Sequence, residues 1–193
     1  MAFILRGTFT ALVTPFAQDQ SIDWDAFDRL LDGQAAGGID GLVPNGTTGE
    51  SPTTDKEEQL ELVKRCVKAK GKSFVMPGTG VNSTKQTIAL SQAAERAGAD
   101  AVMVVVPYYN KPTQEGLLQH YVAVASAVSI PVVVYNIPGR TGIDLTAETF
   151  ARICEKASNV VGIKEATGNV LRAQEMLRYS TRASPSDPGR VTG

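Results

Sequence analysis

Cysteine and histidine are scarce in this 193-residue chain: two cysteines, Cys66 and Cys154, and one histidine, His120. Two thiols far apart in sequence show no metal-ligand spacing, and they read as reduced, packed residues of a cytoplasmic protein. His120 falls within a helical pattern with Leu117, Leu118, Tyr121 and Ala125, as a helix-surface or packed residue. Acid–base chemistry must then lean on tyrosine, lysine or carboxylate. Neither sign of charge dominates: 19 basic against 20 acidic side chains give a net charge of -1, with no basic block. That balance provides no long-range attraction for nucleic acid or an anionic membrane. No apolar run approaches a membrane span. The opening "MAFILRGTFTALVTPF" lacks a charged start, a continuous apolar stretch and a small-residue cleavage site, so no signal peptide is expected. What remains, 42% hydrophobic and 20% charged, is a soluble globular composition with material for one core.

Short β-rich runs alternate with longer helical ones. "TFTALVTPF" reads as a strand ended at Pro15. "DWDAFDRLLDGQAAGG" follows as a helix, with Trp24, Phe27, Leu30 and Leu31 at helical spacing. Strand "DGLVPNG" precedes a helix opened by Thr54, with Glu57 three residues on as a capping box. The pattern continues through strands "SFVMPG", "DAVMVVVP", "IPVVVYN" and "VVGIK", each followed by a helical stretch, giving six β-then-α units. Several of the strands are nearly continuous aliphatic runs, as expected when both faces are buried. Strict alternation predicts a parallel sheet with helical crossovers, in an α/β fold. An open doubly wound sheet and a (β/α)8 barrel both satisfy it. No G-x-G-x-x-G follows the first strand, which favours the barrel.

In a parallel α/β fold the functional groups gather at the carboxyl ends of the strands. Those positions hold Gly46-Thr47-Thr48-Gly49-Glu50-Ser51, Gly78-Thr79-Gly80, Tyr108-Tyr109-Asn110, Tyr135-Asn136 with Arg140 beyond, and Lys164-Glu165. Singly, each has a plain reading as a turn, a packed tyrosine or a solvated charge. Together they suit Schiff-base chemistry. Desolvation at the end of a buried strand disfavours the ammonium form of Lys164, and the free amine adds to a keto group. Hydroxyls of two tyrosines and a threonine can carry the protons. Closely spaced glycines and hydroxyls expose backbone N–H groups to a small carboxylate, and an arginine holds a second one.

"GTTGES", "PYYNKPTQEG", "YNIPGRTG" and "GIKEATGN", in this order and spacing, resemble the dihydrodipicolinate synthase family from about Thr8 to about Arg178. The resemblance implies a (β/α)8 TIM-type barrel followed by a small helical region. It also implies condensation of pyruvate with aspartate-4-semialdehyde, on the path to diaminopimelate and lysine, with no metal or organic cofactor. Lys164 matches the Schiff-base lysine and Tyr135 the general acid–base tyrosine. Thr47 matches the threonine that links Tyr135 to a second tyrosine. Tyr109 matches that second tyrosine, which crosses into a neighbouring subunit and so implies a homo-oligomer, a dimer or tetramer. Thr48 matches the residue that holds the pyruvate carboxylate, and Arg140 the arginine that receives the semialdehyde carboxylate. Sibling enzymes, the N-acetylneuraminate lyases and keto-sugar-acid aldolases, share the lysine and strand-end tyrosine; the Tyr-Tyr pair with "PGRTG" favours the synthase. Lysine-sensitive bacterial members often carry histidine at the position of Lys56 and glutamate at that of Gln86. A cation gained and a carboxylate lost imply weak or absent lysine inhibition here.

A full barrel of this type takes ~250 residues, whereas this chain carries six units, in an expected domain over 1–178. The stretch "YSTRASPSDPGRVTG", 179–193, holds one valine and no leucine, isoleucine or phenylalanine, and is expected to be disordered. A frameshift or premature end of the reading frame would produce such an ending. Two readings therefore stand side by side: an active synthase, and a shortened, non-catalytic chain with exposed strand edges.

Overall fold

The computed structural model describes residues 5–183, which group into two compact units. One unit is formed by Arg6–Gly78 and Ala93–Val102. In it β1 (Phe9–Ala11), α1 (Trp24–Ala36), β2 (Gly41–Val43), α2 (Lys56–Ala69) and β3 (Phe74–Val75) follow in sequence. The strands form a parallel sheet in the order β1-β2-β3, with Phe9 opposite Gly41 and Gly41 opposite Phe74. A side chain at Gly41 would enter the Phe9 ring, so the glycine is what allows this register.

Helix α1 starts where Asp23 accepts a hydrogen bond from the Ala26 N–H, which satisfies one of the free donors of the first turn. It buries Phe27 and Leu31 against Leu12, Ile22, Leu42, Leu62, Cys66 and Val75. The capping box of α2 is set one residue later than Thr54 and Glu57 suggest. The Asp55 side chain accepts from the Glu58 N–H at 2.8 Å, and the Glu58 carboxylate accepts from the Asp55 N–H at 2.8 Å. Thr54 instead donates its hydroxyl to the Ser51 carbonyl. A carboxylate is as good a cap as a hydroxyl, and the longer reach of Glu58 closes the box.

The second unit is built on Thr79–Gln92 and the chain from Met103 onward. It carries most of α3 (Thr84–Arg96) and β4 (Val102–Val105), then α4 (Gln114–Ser126) and β5 (Val132–Asn136). A short helix α5 (Pro138–Thr141) comes next, followed by α6 (Ala147–Lys156), β6 (Val160–Glu165) and α7 (Leu171–Ala183). The sheet order is β4-β5-β6, with β5 and β6 parallel. All five residues of β5 are buried, as its aliphatic run predicts. Val132 pairs with Val160 but Val133 pairs with Gly162, so Val161 is an unpaired bulge residue. His120 is packed, only 4% exposed, with Nδ1 2.9 Å from the Thr84 hydroxyl and no partner for Nε2 among the described residues.

Helix α7 continues past Arg178, so the boundary drawn at 179 falls inside a helix; residues 184–193 of the expected tail lie outside the described residues. Among the described residues no helix is long and apolar enough to cross a membrane.

Candidate active site

Tyr135 and Lys164 are directly opposite one another on β5 and β6. Paired residues of a parallel sheet share a face, and the Lys164 Nζ lies 4.4 Å from the centroid of the Tyr135 ring. The bulge produces this match. Continued without Val161 as an extra residue, the Val132–Val160 register would set Ile163 opposite Tyr135 and turn Lys164 to the other face. Tyr135 is buried at 6% exposure, while Lys164 is open to solvent at the carboxyl end of its strand. The amine is therefore less enclosed than the aliphatic run before it suggests. Partial desolvation nevertheless lowers its pKa from the ordinary lysine value.

Arg140 is exposed on α5, which follows β5 directly. That helix is a single turn. Pro138 supplies its first residue, and Gly142, in the left-handed region at φ +71, closes it by donating its N–H to the Pro138 carbonyl. Tyr109 stands out from the loop after β4 at 88% exposure, on a left-handed backbone with φ +71. Non-glycine residues seldom adopt that conformation, and here it comes with a tyrosine held away from its own core. Asn110 anchors the loop by donating from Nδ2 to the Asn82 carbonyl.

Thr47 and Thr48 belong to the other unit, in the turn after β2, and both are exposed. The turn is held from below. The Thr14 hydroxyl donates to the Gly49 carbonyl at 2.7 Å, and Asn45, left-handed at φ +58, donates from Nδ2 to the Gln59 carbonyl. A methyl group on Gly49 would lie 2.9 Å from the Leu12 carbonyl oxygen, and one on Gly78 would collide with the Asn45 carbonyl. These two glycines are thus required for close approach of backbone. The N–H groups of Gly49, Glu50 and Ser51 are all spent on carbonyls of Gly46 and Thr47. Those of Gly46, Thr47 and Thr48 donate to no group among the described residues, which narrows the expected anion-binding stretch to three amides.

Sequence reasoning missed the polar cluster beside β6. Asn136, fully buried, donates from Nδ2 to Asp144 at 2.8 Å and to Glu165 at 3.0 Å, and its Oδ1 accepts from the Leu145 N–H. Arg172 donates to Asp144 at 2.8 Å and to the Leu145 carbonyl at 2.7 Å. Asn136 and Glu165 are the register pair after Tyr135 and Lys164, and that adjacency was the available signal. Asp144 and Arg172 lie in no motif.

The chain is similar to known proteins over nearly all of its length. The profile of the Dihydrodipicolinate synthetase family matches residues 4–185. The chain is 57% identical over 176 residues to a 4-hydroxy-tetrahydrodipicolinate synthase of Sorangium cellulosum, covering 90% of this chain and 58% of that protein. With the Kosmotoga olearia protein of the same name it is 50% identical, covering 94% and 62%. The dihydrodipicolinate synthase structure from Thermotoga maritima superposes with a TM-score of 0.91 at 43% identity, over 98% of this chain and 63% of the other. The chloride-inhibited Acinetobacter baumannii enzyme, complexed with pyruvate, gives 0.88 at 43% identity, over 92% and 61%. The chain thus spans about three fifths of the length of these relatives. Its fold is of the TIM-barrel α/β type they share, with six βα units among the described residues. A parallel α/β chain with a strand-end lysine opposite a strand-end tyrosine, matched over nearly all its length at such identities, belongs to the dihydrodipicolinate synthetase family.

Proposed function

We propose that the protein is a Schiff-base lyase that condenses pyruvate with aspartate-4-semialdehyde to 4-hydroxy-tetrahydrodipicolinate, in lysine and diaminopimelate biosynthesis. The observation that carries this reading is the Lys164 amine, with its lowered pKa, 4.4 Å from the ring of its register partner Tyr135. The neutral Nζ adds to the keto carbon of pyruvate. The carbinolamine hydroxyl leaves as water, giving an imine. Loss of a methyl proton yields an enamine, whose carbon forms the new bond to the aldehyde carbon of the second substrate as the aldehyde oxygen takes a proton; that substrate's amine then displaces Nζ and closes the ring. Tyr135 moves these protons, with Thr47 and Tyr109 as its relay. The unspent amides at Thr47 and Thr48 suit the pyruvate carboxylate, and the exposed Arg140 suits that of the semialdehyde. The exposure of Tyr109 supports its reaching a second copy in a homo-oligomer. No cofactor enters this chemistry.

Borohydride reduction in the presence of pyruvate tests the reading. A stable adduct on Lys164, located by peptide mass, is expected; a folded chain that gives none would refute it. Turnover with the semialdehyde in preference to sugar-derived aldehydes separates the synthase from sibling aldolases. With Lys56 and Gln86 in place, activity is expected to be unchanged at millimolar lysine.

A further inference from the structure

The Arg140 turn is closed at its base by side chains rather than by a sheet. Residues 136 and 144 bracket it, and Asn136 donates to Asp144 across the gap while accepting from the Leu145 N–H. Three further ties converge on the same point. Arg172, in the first turn of α7, donates to Asp144 and to the Leu145 carbonyl. Gln114, in the first turn of α4, donates from Nε2 to the Asp144 carbonyl at 2.8 Å and accepts from the Thr146 N–H. Glu165, next to Lys164, accepts from Asn136 and from the Thr167 N–H at 2.8 Å. The three segments that bear Tyr109, Arg140 and Lys164 are thereby fastened to one carboxylate and its neighbours.

We propose that Asp144 is a positioning residue: with Asn136 it locks the Arg140 turn to the end of the Lys164 strand, and so sets where the second substrate's carboxylate is received. The proposal rests on the reading of Lys164 and Arg140 given above. Asp144 touches no reacting atom in this scheme. Its effect passes through Arg140, and a guanidinium displaced by about an ångström weakens productive binding of its carboxylate strongly. Imine formation on Lys164 does not depend on Arg140. Removing Asp144 should therefore divide the two half-reactions.

Tryptic cleavage after Arg140, followed by peptide mass, measures opening of the turn without any substrate. In D144A this cut is expected to accelerate about tenfold relative to cuts elsewhere. D144N keeps an acceptor for Asn136 and Arg172 and restores slow cleavage. Equal rates at Arg140 in wild type and D144A, or uniform acceleration at every site, would overturn the positioning role. In turnover, D144A should raise the KM for the aldehyde substrate about tenfold with pyruvate trapping at the wild-type rate. A loss in kcat alone, or slowed trapping with unchanged KM, would also overturn it. Absence of trapping in the wild type would instead remove the lyase reading, and the cleavage ratio would still decide whether Asp144 holds the turn.

Discussion

At the scale of single residues, solvation separates the reactive groups from the inert ones. Lys164 is partly desolvated and its pKa is lowered, so more of it is neutral at a given pH than for a free lysine. The rate of pyruvate trapping should rise with pH and reach its midpoint below that of a free lysine amine; a midpoint at the free-amine value would contradict this. Y135F keeps the ring beside the amine and deletes the hydroxyl. It should lower kcat by roughly 10²–10⁴-fold, the usual contribution of a positioned proton carrier, while leaving the KM for pyruvate within about twofold. Cys66 is the opposite case: fully buried, its thiol is pushed up to about 12. It should resist alkylation in the native protein and react on denaturation, as read by labelling at that peptide.

At the scale of elements, backbone geometry decides what a substitution costs. Removing the α2 cap in D55A should lower stability by about 1 kcal/mol in urea unfolding, with the site residues untouched. Gly80→Ala would push a methyl group into the Val104–Val105 backbone, which cannot yield as a side chain tip would. A loss of about 3 kcal/mol is expected, measured by the same titration. The strands were legible because buried parallel strands are written as aliphatic runs, and the three valines that open β5 follow that rule, with all five of its positions buried. The α2 cap was misplaced by one residue because Thr54 and Asp55 are both good caps, and only the backbone turn distinguishes them. Helix α5 was not legible: "PGRT" reads as a turn by composition, and one helical turn has no periodicity to detect. Lys164 and Tyr135 became candidates because they stand at strand ends, and Thr47, Thr48, Tyr109 and Arg140 because they lie in the segments that follow strands. Asp144 and Arg172 did not, since their meaning comes from Asn136, a side chain whose partners are set only by the tertiary fold.

At the scale of the whole molecule, acid stability should depend on His120. Its pKa is lowered from 6.5 to about 4 because burial disfavours the imidazolium. Between those values the unfolded chain takes up a proton that the folded chain refuses. This contribution is therefore complete above pH 6.5 and is lost as pH falls towards 4, amounting to about 3 kcal/mol. H120Q should flatten that part of the stability profile; an unchanged slope would show that other groups carry it. The bulge at Val161 has a consequence of a different kind. Strand side chains alternate, so whether the amine and the phenol meet is a matter of odd or even numbering. Deleting Val161 would remove the bulge, leave an unbroken ladder from Val160 through Gly162, and keep the amine beside the phenol. Deleting two would bring the lysine opposite Val134 and turn it to the far side, so in this segment parity matters more than composition.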